Sequence, residues 1–178
     1  MVTLAEWLEA NQDAILQRWL ADTLAGYPED AAVAFARQKD PFANPVGASL
    51  REGTRGIIEA LVDGTDPDGV QSHLEKIIKI RAVQEFSASQ AVGFVFGLKE
   101  AVRAELGRAA GDSGLAAEWA KLDGRIDRIA LAAFDVFVRC REQVCQLRIN
   151  DVKRNVSWVL EKMQQRGLDP ESARVDNG

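Results

Sequence analysis

Leu115-Ala116-Ala117-Glu118-Trp119-Ala120-Lys121-Leu122-Asp123-Gly124-Arg125-Ile126-Asp127-Arg128-Ile129 opens a run that reaches about Gln165 with no proline and no glycine except Gly124. Leu115, Trp119, Leu122, Ile126, Ile129, Ala133, Val136 and Cys140 follow alternating steps of four and three. That is the heptad spacing of a helical seam. Leu147 continues it, with Val144 beside. Val152, Val156, Val159 and Met163 keep the same steps but sit two residues late, and such a slip rotates the apolar face around the helix. One long helix, or two coaxial ones, is expected, with its second half packing on a different partner from its first. Trp158 adds a large aromatic to that second half. An apolar face with no evident partner in its own chain marks association.

Upstream, the punctuation is that of a bundle. Thr3-Leu4-Ala5-Glu6 and Ser87-Ala88-Ser89-Gln90 are capping boxes, in which a hydroxyl and an acid or amide three residues on satisfy each other's backbone N–H. Leu4, Leu8, Ile15 and Trp19 form the stripe of a first helix that fails at Gly26-Tyr27-Pro28. A short helix is expected from about Asp30 to Gln38. Asn44-Pro45 and Asp66-Pro67 each supply an N-cap and a proline for the first turn of the next helix. Leu50, Ile57, Ile58 and Leu61 line one, and Val70, Leu74, Ile77 and Ile78 the other. The helix opened by Ser87 is expected to reach about Ala110, with Gly93 and Gly97 leaving room for a close neighbour. Gly111-Asp112-Ser113-Gly114 is the last break. The fold class is all-α, with five to seven helices.

A chain of 178 residues can bury a core without staples, and its 47% hydrophobic content suits a folded globular protein. No stretch approaches the roughly 20 apolar residues of a membrane helix, and the N-terminus lacks a secretory pattern. A cytoplasmic protein without membrane insertion is expected. The net charge of −5 disfavours binding to nucleic acid. Cys140 and Cys145 point about 140° apart on one helix and cannot pair within it.

Chemistry is sparse. There is no nucleophile elbow, P-loop, dinucleotide fingerprint or HExxH motif. His73 is the only histidine, at the edge of its stripe, so neither a triad nor a structural zinc set is within easy reach. No catalytic residue, metal site or cofactor is expected. Arg55 or Arg81 could clamp an anion, and the sequence ranks neither above other arginines. Asp123, Asp127 and Asp135, beside Arg125, Arg128 and Arg139, read as a solvated, ion-paired face. Trp19, Phe42, Phe86, Phe94, Phe134 and Phe137 come from several helices and are the candidates for lining one apolar pocket. The candidates for association are Trp119, Leu122, Ile126 and Ile129 on the first seam, and Val152, Val156, Trp158, Val159 and Met163 on the second face.

Two stretches carry a family likeness. Phe35-Ala36-Arg37-Gln38-Lys39-Asp40-Pro41-Phe42-Ala43-Asn44-Pro45-Val46-Gly47, followed by Leu50-Arg51-Glu52-Gly53, resembles the N-terminal domain family of RsbRD-type RsbT co-antagonists. So does Ile80-Arg81-Ala82-Val83-Gln84-Glu85-Phe86-Ser87-Ala88-Ser89-Gln90-Ala91-Val92-Gly93-Phe94-Val95-Phe96. The likeness implies a globin-like helical domain without haem that forms dimers. In related bacterial stressosome proteins such domains are sensory turrets, and a long helix leads to a C-terminal STAS domain. This sequence ends near where a STAS domain would begin and has no threonine after Thr65, so a stand-alone sensor or adaptor is expected.

The expected organisation is a sensor-like domain over residues 1–147, an extension of the long helix over 148–166 and a disordered tail over 167–178. The expected function is a non-catalytic regulatory module, a homodimer with a possible protein partner at its C-terminal helix. The alternatives are a haem or small-ligand carrier using a globin-like cavity, and an accessory subunit of a larger complex.

Overall fold

The computed structural model describes residues 3–64, 67–84, 86–107 and 113–165, with the side chains of 67, 68 and 113–116 left aside. Six helices account for nearly all of these, and no strand occurs among the described residues. They are α1 (Leu4–Ala25), α2 (Glu29–Arg37), α3 (Pro45–Val62), α4 (Pro67–Val83), α5 (Ala88–Leu106) and α6 (Ser113–Gln165). The fold is all-α with a long C-terminal helix. Packing divides the chain into two compact units, Met1–Cys140 and Arg141–Gly178.

Local chemistry sets the helix starts. Thr3 Oγ1 accepts from the Glu6 N–H at 3.2 Å while Glu6 Oε2 accepts from the Thr3 N–H at 2.8 Å. Ser87 and Gln90 repeat the exchange at α5. Asn44 caps α3 by accepting from the Gly47 N–H at 2.8 Å, with Pro45 in the first turn. The expected Asp66 cap, the Gly111-Asp112 break, the side chain of Leu115 and the tail from 167 lie outside the described residues. At Gly107 the backbone turns to a φ of +54°, where glycine is favoured, and α5 has ended at Leu106. Through 148–151, where the apolar stripe slips, α6 stays helical.

The core of the first unit is a single cluster. Ile15 and Trp19 from α1, Leu50 and Ile57 from α3, Leu74 and Ile77 from α4, Val95 and Leu98 from α5 and Ile126 from α6 are all fully buried in it. α3 and α4 approach closely because Gly53 and Gly56 face α4. A Cβ on Gly53 would lie 2.6 Å from Ile77 Cγ1 and 2.9 Å from the His73 carbonyl oxygen. Gly53→Ala is therefore expected to cost about 1–3 kcal/mol by overpacking. At roughly 2–4 °C per kcal/mol for a chain of this length, thermal unfolding should show Tm falling by several degrees. An unchanged Tm would mean that α3 and α4 can spread freely.

Polar clips tie α6 to the bundle within this unit. Glu118 Oε2 accepts from the Leu4 N–H at 2.6 Å, and Arg125 Nη1 donates to the Leu61 carbonyl at 3.0 Å, near the C-terminus of α3. Lys99 of α5 meets Asp123 at 3.0 Å and Asp127 at 2.7 Å. Those two aspartates thus hold a lysine of another helix, where the sequence pointed to arginines on their own.

A second clip explains the first family-like stretch. Asn44 Nδ2 donates to the carbonyls of Phe35 (2.9 Å) and Gln38 (2.7 Å), and Arg51 donates to the same two at 2.8 and 3.2 Å. The carbonyls left open where α2 ends are satisfied by the start of α3. Gly47 is required beside them, since a Cβ there would lie 2.7 Å from the Phe35 carbonyl oxygen.

Candidate functional site

Arg81, in the last turn of α4, is the most unusual side chain in the first unit. It is only 2% exposed, and no carboxylate lies within ion-pair distance of it among the described residues. Backbone oxygens hold it instead. Nη1 donates to the Gln90 carbonyl at 3.0 Å and, more weakly, to that of Ala91 at 3.5 Å. Nη2 donates to the Thr23 carbonyl at 3.1 Å, in the last turn of α1, where the helix dipole is negative. Three aromatic rings complete the cage, with centroids 5.4 Å (Tyr27), 5.2 Å (Phe86) and 4.8 Å (Phe94) from the guanidinium carbon. Aromatic faces stabilise a desolvated cation.

Burial pushes the Arg81 pKa down from its ordinary value, and the neighbouring Tyr27 hydroxyl opposes the shift. Arginine nevertheless stays charged. Two buried polar atoms of the cage remain unsatisfied: Arg81 Nε and the Tyr27 hydroxyl. The hydroxyl is near enough to favour the charged guanidinium, yet no hydrogen bond between them has acceptable geometry.

Beside the cage lies a half-open cleft of about 320 Å³. The end of α1 supplies Asp22, Thr23 and Gly26, α4 supplies Arg81, and α5 supplies Gln90, Gly93, Phe94 and Gly97, with Phe86 just ahead of it. Gly93 and Gly97 were expected to admit a close neighbour. A Cβ on Gly93 would meet nothing within 4 Å, and one on Gly97 would touch the Trp19 ring at an ordinary 3.5 Å. The space they leave is the cleft.

The aromatic candidates divide. Phe86 and Phe94 line the cleft. Trp19 is fully buried, stacked on Phe94 with centroids 5.8 Å apart, and donates its indole N–H to the Phe94 carbonyl at 2.6 Å. Phe42 does not belong with them: it is 98% exposed in the connection between α2 and α3, where the turn through Asp40 aims it at solvent. Phe137 is buried in the core and Phe134 is half exposed on α6, and neither lines this cleft.

The first association seam is spent inside the molecule. Leu122, Ile126 and Ile129 are buried in the core, and Trp119 is half-buried against it with the Arg103 guanidinium 5.1 Å from its ring. Heptad spacing fits a bundle interior as well as a contact between chains, which is why the sequence alone does not separate them. These three aliphatic residues are not free to meet a second chain.

The second unit differs. Ile149, Val152, Val156 and Val159 are 48%, 62%, 53% and 47% exposed, and Met163 is half-buried. With exposed Cys145 they run at steps of four and three. The sequence reasoning missed Cys145 and Ile149 because it carried the earlier seam on to Leu147; the same step rule, run backward from Val152, finds both. Trp158 falls off this seam, pointing about 160° away from Val156 at roughly 100° per residue. Its ring lies beneath the Lys162 ammonium, 4.2 Å from the centroid.

His73 packs between helices: a Cβ on Gly56 would lie 2.0 Å from its Nδ1. It is not part of the cleft wall. No cluster of metal-binding side chains occurs among the described residues, and none of their helices is long and apolar enough to cross a membrane. The two cysteines are unpaired, Cys140 buried and Cys145 exposed.

Fold and cleft together define an all-helical domain with a caged arginine in its wall and no recognisable catalytic constellation among the described residues. The chain belongs to the family of the RsbT co-antagonist protein rsbRD N-terminal domain, whose model matches residues 13–152. No curated protein and no solved structure matches it.

Proposed function

We propose that this protein is a non-catalytic regulatory module of the bacterial cytoplasm that acts through protein contact. Membership of a family named for co-antagonism of RsbT supports a role in signalling rather than in chemistry. The observation that carries the contact role is the exposed apolar seam of the second unit, Ile149, Val152, Val156 and Val159. A period of 3.5 residues with β-branched side chains suits pairing with another helix. The proposed occupant is the same seam of a second copy.

A second reading rests on charge. Arg148, Lys153 and Lys162 occupy the positions flanking the seam, where side chains of two paired helices meet. Two copies would bring like charges together, at a cost of a few tenths of a kcal/mol per pair. A partner helix with acidic flanks would gain by the same measure. The haem-carrier alternative finds no support in the cleft, whose wall carries no histidine.

Light scattering on the full chain and on a version truncated after Leu147 tests this. A dimer that becomes a monomer on truncation supports the second copy. A full-length monomer turns the reading to the acidic partner, and a dimer that survives truncation removes the seam from the contact.

A further inference from the structure

We infer that the seam of the second unit gives up its second copy in exchange for a partner helix with carboxylates on both flanks of its own apolar stripe. This rests on the proposed pairing through that seam and adds what the flanks of the seam select. Ile149, Val156 and Met163 stand at the a positions of a heptad, and Cys145, Val152 and Val159 at the d positions. The flanks are then Arg148, Asn155 and Lys162 on the g side and Gln146, Lys153 and Leu160 on the e side. Every charged residue on either flank is basic. The acidic residues beside them in sequence, Asp151 and Glu161, fall at c and f positions on the far side of the helix. There Asp151 already holds Arg154 at 2.7 Å.

Side chains at e and g decide which helices pair. With a second copy in parallel, Arg148 of each chain meets Lys153 of the other. With a second copy antiparallel and fully overlapped, Lys153 meets Lys153 and Arg148 meets Lys162. Neither orientation brings a carboxylate to a cation. Arg148 and Lys153 are exposed, and no carboxylate of their own chain lies within ion-pair distance of them among the described residues. Both cations are thus available to a partner.

A partner with acidic residues at the facing positions makes the same apolar layers, so charge alone separates it from a second copy. In either orientation it turns two like-charge contacts into attractive ones. Each conversion removes a repulsion and adds an attraction, and two of them shift the pairing equilibrium about tenfold. Salt acts on the two pairs in opposite directions: screening relieves the repulsion in the self-pair and weakens the attraction in the mixed one.

The test pairs the full chain with its own Arg148→Glu/Lys153→Glu variant, which supplies the acidic flanks. Both substitutions fall on exposed positions of the second unit, so Tm should not move. Wild-type chain labelled at its N-terminus is titrated with unlabelled wild type and, separately, with the variant, and fluorescence anisotropy reads the two dissociation constants. At about 50 mM NaCl the variant should bind about tenfold more tightly than wild type does. At about 500 mM the difference should shrink to about twofold or less, with the wild-type pair tighter than at low salt. Equal affinities at low salt overturn the inference and leave the seam pairing in place, with its flanks turned away from the partner. If neither titrant binds, the pairing and the inference fall together. Binding of the variant alone supports the inference and removes the second copy as occupant.

Discussion

Replacing Trp19 by alanine should destabilise the protein by about 3–5 kcal/mol, the usual range for removing a fully buried large aromatic. Three separate interactions go with the ring. It leaves the deepest part of the core, it ends the stack on Phe94, and it withdraws the indole N–H from the Phe94 carbonyl. Trp19 also fixes the α1–α5 pair whose ends wall the cleft. At roughly 2–4 °C per kcal/mol, Tm should fall by about 10 °C or more in a thermal melt. Trp19→Phe should cost clearly less, because it keeps most of the buried area and loses chiefly the hydrogen bond. Equal losses in the two variants would contradict this account and place the whole effect on the N–H.

Val156→Asp is the variant with the largest expected effect on assembly. In the proposed pair of seams, position 156 would face its counterpart, and each copy would bury a carboxylate among valines. A buried unpaired charge costs several kcal/mol, so the dimer dissociation constant should rise at least about 100-fold. The first unit should be untouched, because Val156 is exposed and lies in the other unit. Sedimentation or light scattering across a concentration series reads the assembly, and a thermal melt of the same sample reads the fold. A mass that does not change with the substitution would remove Val156 from any self-contact. Trp158→Ala is the control, since Trp158 points away from the seam and lies under Lys162.

What could be read from the sequence was what depends on near neighbours along the chain. The Thr3–Glu6 and Ser87–Gln90 boxes and the Asn44–Pro45 start are interactions across three residues, so spacing alone specifies them. The stripes of α1, α3, α4 and α5 follow from helical period in the same way. Long-range facts were hidden for a common reason. Arg55 and Arg81 look alike in sequence, yet one is exposed near Asp13 and the other is buried in an aromatic cage. The difference is made by α1 and α5, which are distant in sequence. Phe42 looked like a pocket residue because it is aromatic, but its side chain belongs to a turn. The Leu122–Ile129 seam looked available because spacing does not reveal what covers it. Gly53 and Gly56 carry a signal of their own: two glycines three apart in an apolar helix suggest close approach, here to α4.

The clip at Asn44 and Arg51 has a consequence for how the molecule comes apart. α2 has no fully buried residue, and its half-buried Phe35 meets Tyr27 edge-on. Its C-terminal end is held by two side chains that converge on two carbonyls. Beyond that clip, α2 is tied to the core cluster by the partly buried Ala31, Ala32 and Phe35 alone among its apolar side chains, while the buried residues of the cluster come from the other helices and Tyr27. α2 is therefore expected to open at a free energy below that of global unfolding, which weaker amide-exchange protection in α2 than in α3, α4 and α5 would show. Because Tyr27, one wall of the arginine cage, stands just before α2, each such opening loosens the ring that shields the buried cation.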